Sequence, residues 1–341
     1  MKQVIVSNGL RELAVRPPAL FDEYIAFLAE DISNLFRDRC QFVVASCPGC
    51  GGQERRSAFS KLTFTYVACV ACGSVFVSPR PTASSLKEFM LASRAVRFWQ
   101  STVEVETARE RDQSIFSPRV AWVEAGVGDT RREKAVLIDL YSKYPRFLRS
   151  IARSETFGRV ISLAPLLESS AISGDPAFSV EQDLDRLLAS GISATAVTAL
   201  ECLERDVDPE GLIRAAARLL QDGGLLFLTS VTWSGFDLQV LREHSKNILP
   251  PTHLNLLSLE GIRQLLSRHD FHVVELSTPG QLDTEIVVHA VAENPNIPLP
   301  PFVDELIRRR EEYVHRAFQE FLQEALLSSH VRLVARKGGA S

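Results

Sequence analysis

From Lys134 onward, short apolar runs rich in β-branched residues alternate with stretches whose apolar positions recur at helical spacing. The runs predict strands over residues 135–140, 159–163, 194–200, 224–230, 271–276, 285–292 and 331–336. Between them the spacing predicts helices, most clearly over Pro209–Leu220 and Leu259–His269. Short apolar runs suit strands buried on both faces, and their alternation with helices predicts an α/β fold with a parallel sheet covered on both sides. The C-terminal end departs from this rhythm. Residues 285–292 and 331–336 flank a helical segment, Pro301–Leu327, with Val303, Leu306, Ile307, Val314, Phe318, Phe321 and Leu322 at helical spacing. The last strand is therefore expected to lie antiparallel beside its predecessor.

Before Lys134 the pattern changes. Pro17 and Pro18 open a helix on which Phe21, Ile25, Leu28, Ile32 and Phe36 form one face, with Asp22, Glu23, Glu30 and Asp31 between them. Such a helix either covers the next module or binds a partner. Then come Cys47-Pro-Gly-Cys50 and Cys69-Val-Ala-Cys72, separated by a segment in which Leu62–Val67 alternates like a hairpin strand. Arg80 follows between two prolines, placed to meet either an anionic ligand or a carboxylate. Residues 91–134 are charged and helical in pattern, with Phe98, Trp99, Trp122 and Val123 as packing points. The expected division is a helical extension (1–39), a cysteine module (40–82), a helical linker or lid (83–133) and the α/β domain (134–341).

Composition narrows the class. The 341 residues are 45% hydrophobic and 23% charged, with a net charge of −4, as in a globular protein and without the positive field of a nucleic-acid or anionic-membrane binder. Arg55, Arg56 and Lys61 form only a local basic cluster. No apolar run reaches the roughly 18 residues of a membrane span, and Arg11, Glu12 and Arg16 interrupt the N-terminal stretch, so a cytoplasmic protein is expected. Of six cysteines, four lie in the two C-x-x-C pairs. Each pair makes a tight knuckle that aims two thiolates at one point, and two knuckles complete a tetrahedron, so Cys47, Cys50, Cys69 and Cys72 are expected to hold a structural zinc ion. Gly49, Gly51 and Gly73 supply the turn geometry. Cys40 and Cys202 are expected to be buried apolar side chains.

The order of several segments resembles a known family. The cysteine module followed by CGSVFVSPRPT, then DPEGLIRAAARLLQDGGLLFLTS, SGFDLQVLREHSKNILPPTHLNLLSLEGIRQLL, STPGQLDTEIV and LSSHVRLVAR is similar to a group of bacterial S-adenosylmethionine-dependent methyltransferases. These carry an N-terminal zinc-binding module and resemble the C-methyltransferases of deoxysugar biosynthesis. The resemblance, from about Cys47 to about Arg336, implies a Rossmann-like seven-stranded domain preceded by a small zinc ribbon and helical segments. It also implies a site. Asp139, Tyr141 and Lys143 occupy the cofactor loop. Asp237, Gln239 and Asn255, with Arg80, are candidate acceptor contacts. His253 is either a general base or a structural residue of the double-proline turn.

The departures from the family pattern bear on function. The family's first strand ends in Asp-x-Gly-x-Gly-x-Gly, whereas here Asp139 is followed by Tyr141, Lys143 and Pro145 at the glycine positions. Ala164 stands where an acidic residue accepts the ribose hydroxyls, with Glu168 four residues further on. The Glu-x-Leu-Glu-His motif reads Glu201-Cys-Leu-Glu204-Arg205, and arginine cannot accept a proton at neutral pH. These changes predict a degraded S-adenosylmethionine site in a non-catalytic ligand- or partner-binding relative, a pseudoenzyme that works beside an active methyltransferase. The alternative is an active enzyme of carbohydrate biosynthesis that methylates a nucleotide-linked sugar or similar molecule and holds its cofactor with a rebuilt loop.

Overall fold

A computed structural model of the chain describes residues 10–128, 135–141, 144–164 and 177–339. Lys143 and Glu168 lie outside these residues. The core is a seven-stranded sheet built from β4 (Ala135–Leu140), β5 (Phe157–Leu163), β6 (Ser179–Glu181), β7 (Ala194–Leu200), β8 (Leu220–Val231), β10 (Phe271–Ser277) and β11 (His330–Lys337). Its order is β10-β11-β8-β7-β4-β5-β6. The strands from β8 to β6 run parallel, and β11 inserts antiparallel to both β8 and β10. All seven residues of β7 are buried, as the continuous apolar pattern requires of a central parallel strand. Two apolar clusters, one on each sheet face, hold the layers together: Leu140, Val197, Leu228 and Ile262 on one side, and Trp122, Phe147, Ile151 and Phe227 on the other.

Two expectations need correction. Residues 285–292 are not a strand but part of a helix, Asp283–Glu293, in which Asp283, Ile286, Val287 and Val291 are buried. Those positions follow a helical period, and packing on that face outweighs the modest helix preference of the valines. The seventh strand is instead β6, three residues with no fully buried side chain. The segment expected as one helix over Pro301–Leu327 forms two, Pro301–Arg309 and Glu312–Glu324. The last strand is antiparallel, as expected, but it lies between β10 and β8.

The cysteine module forms a second sheet from β1 (Arg55–Lys61), β2 (Phe64–Cys69) and β3 (Val75–Val77). Leu62 and Thr63 turn the β1–β2 hairpin in the left-handed region, at φ 44° and 68°. The fourth strand, β9 (Asn255–Leu256), comes from the α/β part of the chain. The helix Pro18–Leu35 packs Phe21, Tyr24, Leu28 and Ile32 into the same cluster as Phe64, Tyr66 and Leu256. Among the described residues no helix is long and apolar enough to cross a membrane.

One close approach locks the C-terminal segment to the sheet. Gly235 lies so near Ser329 that a Cβ would sit 2.1 Å from its Cα, and a backbone contact cannot yield as a flexible side chain does. Gly235→Ala is expected to destabilise the protein by about 1–3 kcal/mol, the usual cost of overpacking, read as a lower urea midpoint with an unchanged slope.

Candidate functional site

The four cysteine sulfurs lie within 4.8 Å of one another. Cys47 and Cys72 are 3.5 Å apart and Cys50 and Cys69 3.4 Å. Ligands at about 2.3 Å from a tetrahedral ion are separated by about 3.8 Å, so this all-thiolate set fits zinc and leaves no open position. Gly51 and Gly73, at φ 77° and 73°, close the two knuckles. The cluster is fastened to the α/β part: Ser258, which caps the helix Leu259–Ser267, donates to the Cys72 carbonyl at 2.6 Å, and Arg268 donates to the Gly49 carbonyl at 2.7 Å. Cys202 is buried, as expected, and donates to the Leu140 carbonyl at 3.1 Å. Cys40, contrary to expectation, is exposed beside Asp38, in the loop after the first long helix.

The ends of β4, β5 and β7 meet where a doubly wound sheet places its ligand. Tyr141, at the end of β4, has a left-handed backbone at φ 55° and lines the cleft. Asp139 is fully buried and accepts from the Thr198 hydroxyl at 2.7 Å, so it braces β4 against β7. Ala164 ends β5 with its amide bonded to the Glu181 carbonyl. Glu201, also left-handed at φ 54°, draws two groups across the cleft. Arg119 Nη2 and the Tyr144 hydroxyl both donate to its carboxylate. Arg205 Nε donates to the Glu201 carbonyl at 2.6 Å, and its Nη2 reaches the Tyr141 carbonyl at 3.4 Å.

The brace lines a cavity of about 680 Å³. Its wall includes Tyr24, Trp99, Arg111, Arg119, Glu204 and His330. Burial, with the Glu201 charge next, pushes the Glu204 carboxyl up to about 7, although Ser230 donates to it at 2.8 Å. Part of the wall is a helical run interrupted by two π-helical turns, Trp99–Val103 and Asp112–Phe116; such turns often mark ligand sites.

The expected site residues divide. Tyr141 and His253 line the cavity. His253 Nδ1 accepts from the Leu249 amide at 3.1 Å, so the proton of the neutral ring sits on Nε2 and the ring holds the double-proline turn. Asn255 is fully buried and donates to the Leu203 and Asp206 carbonyls, both at 2.7 Å, fastening the Glu201–Asp206 segment. Gln239 is exposed and donates to the Trp233 carbonyl. Arg80 is buried over the Phe76 ring and donates to the Val77 and Val207 carbonyls at 3.1 and 3.4 Å; it makes no ion pair among the described residues. Asp237 is fully buried and accepts from Asn247 Nδ2 at 3.3 Å. Burial and the neighbouring Asp283 carboxylate push it up to about 8. Asp283 itself accepts from Ser328 Oγ, the Ser329 amide and Gln319 Nε2. Sequence reasoning did not single out Arg111 and Arg119, which lie in no recognised motif, or Asp283 and His330, which lie within the quoted segments STPGQLDTEIV and LSSHVRLVAR.

The sheet order, the inserted antiparallel strand and a cleft beyond the ends of β4, β5 and β7 define a methyltransferase-type α/β protein. A family model described as a methyltransferase domain matches residues 84–276. The chain belongs to that family. No curated protein matches it. Among solved structures it is similar to an S-adenosylmethionine-dependent methyltransferase from Mesorhizobium loti (15% identity, 66% of this chain and 99% of that one, TM-score 0.41). It is also similar to the complex between the Haloferax volcanii Trm112 methyltransferase activator and a methyltransferase (17%, 68% and 96%, 0.42). A third is the cyclopropane synthase MmaA2 of Mycobacterium tuberculosis (13%, 67% and 88%, 0.40).

The Asp237 environment has a pH consequence. A carboxyl held at about 8 when folded and at about 3.9 when unfolded favours the folded state most below about pH 4. That contribution is lost as pH rises toward 8, with a slope of at most about 1.4 kcal/mol per unit for one proton. Asp237→Asn mimics the protonated acid. Its stability relative to the wild type is expected to improve from pH 5 to pH 8 in urea titrations.

Proposed function

We propose that this chain is a zinc-bearing, non-catalytic member of the methyltransferase family, in which the protein's own side chains bridge the cofactor end of the cleft and the cavity takes another ligand. The bridge of Arg119 and Tyr144 to Glu201 carries this reading. S-adenosylmethionine lying across the ends of β4 and β7 would meet this bridge and the Tyr141 ring. Ala164 offers no acceptor for the ribose hydroxyls, and a lost charged hydrogen bond costs roughly 1.5–3 kcal/mol. Two such defects weaken binding by about two to four powers of ten. An associated active methyltransferase remains the proposed partner. The 680 Å³ cavity supports the second reading, an active enzyme with a rebuilt loop acting on a nucleotide-linked sugar.

Calorimetric titration of the zinc-loaded chain separates the two. No heat is expected with millimolar S-adenosylmethionine or its demethylated product while the thermal melt stays intact. A micromolar dissociation constant overturns the non-catalytic reading. For the metal, one zinc ion per chain is expected by elemental analysis. Cys47→Ser is expected to lose it and melt at lower temperature, because metal binding supplies on the order of 10 kcal/mol to so small a module.

A further inference from the structure

At the Glu201 end of the cavity, β8 and β11 present one shared sheet face. Thr229 pairs directly with Arg332, and Val231 with His330, so these four side chains point the same way. All four line the cavity, and Arg119 reaches the same end from the helix Ser117–Val127. Three buried polar atoms there have no partner among the described residues: Arg119 Nη1, Arg332 Nε and Thr229 Oγ1. Arg119 is 8% exposed and Thr229 1%. Arg119 is held through Nη2 on Glu201, and Arg332 through Nη2 on Glu275 at 3.2 Å, with Arg332 also 4.9 Å over the Trp122 ring. They are thus fixed in direction while a donor remains unused. Arg111, buried in the same wall, makes no ion pair among the described residues.

Buried donors without acceptors are costly, and native proteins leave few of them. Two guanidinium N–H groups and a hydroxyl converging on one wall match the acceptor oxygens of a carboxylate or phosphate group. We propose that Arg119, Arg332 and Thr229 form an oxyanion-binding corner, which receives the carboxylate or phosphate of the cavity's ligand. This deepens the ligand-binding reading and rests on it. His330 adds a further group: burial and the adjacent Arg119 and Arg332 push its ring down to about 4, so it meets the ligand as a neutral donor or acceptor.

The test titrates the full zinc-loaded chain with inorganic phosphate and, separately, with malonate at constant ionic strength, following the Arg332 Nε–H signal by NMR. A saturable shift with one probe is expected, and which probe saturates tells a phosphate site from a carboxylate site. Arg119→Lys, which keeps the charge but loses the fork, is expected to raise the half-saturation point about ten-fold. Thr229→Val removes one hydroxyl at nearly constant shape and is expected to raise it several-fold while leaving the melt unchanged. Shifts that stay linear with both probes overturn the proposal, as does saturation that neither substitution alters. S-adenosylmethionine titration is read independently, so failure here leaves the non-catalytic reading standing.

Discussion

The partly buried carboxylate of Glu201 organises the centre of this molecule. A charge at the end of a central strand must be paired, and truncating one partner of a buried pair costs on the order of 3–5 kcal/mol. Its partners come from different segments: Arg119 from the helical wall and Tyr144 from the turn after β4. Satisfying one carboxylate therefore ties the helix Ser117–Val127, the turn after β4 and the end of β7 together across the cleft. Arg205 reinforces the tie through main-chain carbonyls of Glu201 and Tyr141.

A second constraint runs through the cysteine module. The cysteine knuckles are not a separate bead on the chain. Ser258 and Arg268 hold their backbone, β3 takes β9 as its neighbour, and Tyr66 donates to the His253 carbonyl at 2.6 Å. The loop that runs from His253 to Ser258 is thereby pinned on one side by the module and on the other by Asn255. Its polar side chains are spent on the backbone: Asn255 and Ser258 donate to carbonyls, and His253 accepts from the Leu249 amide.

Much of the architecture was legible in the chain. The apolar run Val136–Leu140, the buried strand Ala194–Leu200 and the paired C-x-x-C knuckles are local patterns, and each appears where its pattern placed it. The failures are equally physical. Ile286, Val287 and Val291 carry strand-forming side chains, yet the face they bury has a helical period. Ser179–Glu181 is too short and too polar to announce itself, and it is a strand because β5 offers it a parallel edge.

The sequence by itself determined the fold class and the pairing of four cysteines in two knuckles, since each depends on residue type and spacing along a few neighbouring positions. Only the tertiary structure decided what meets at the ends of β4 and β7. Arg119, Tyr144 and Glu201 are ordinary residues far apart in the chain, and so are Thr229 and Arg332. Their meeting depends on the register of β8 against β11 and on where the helix Ser117–Val127 packs. Such convergence is a property of strand pairing over long range, which no local window contains.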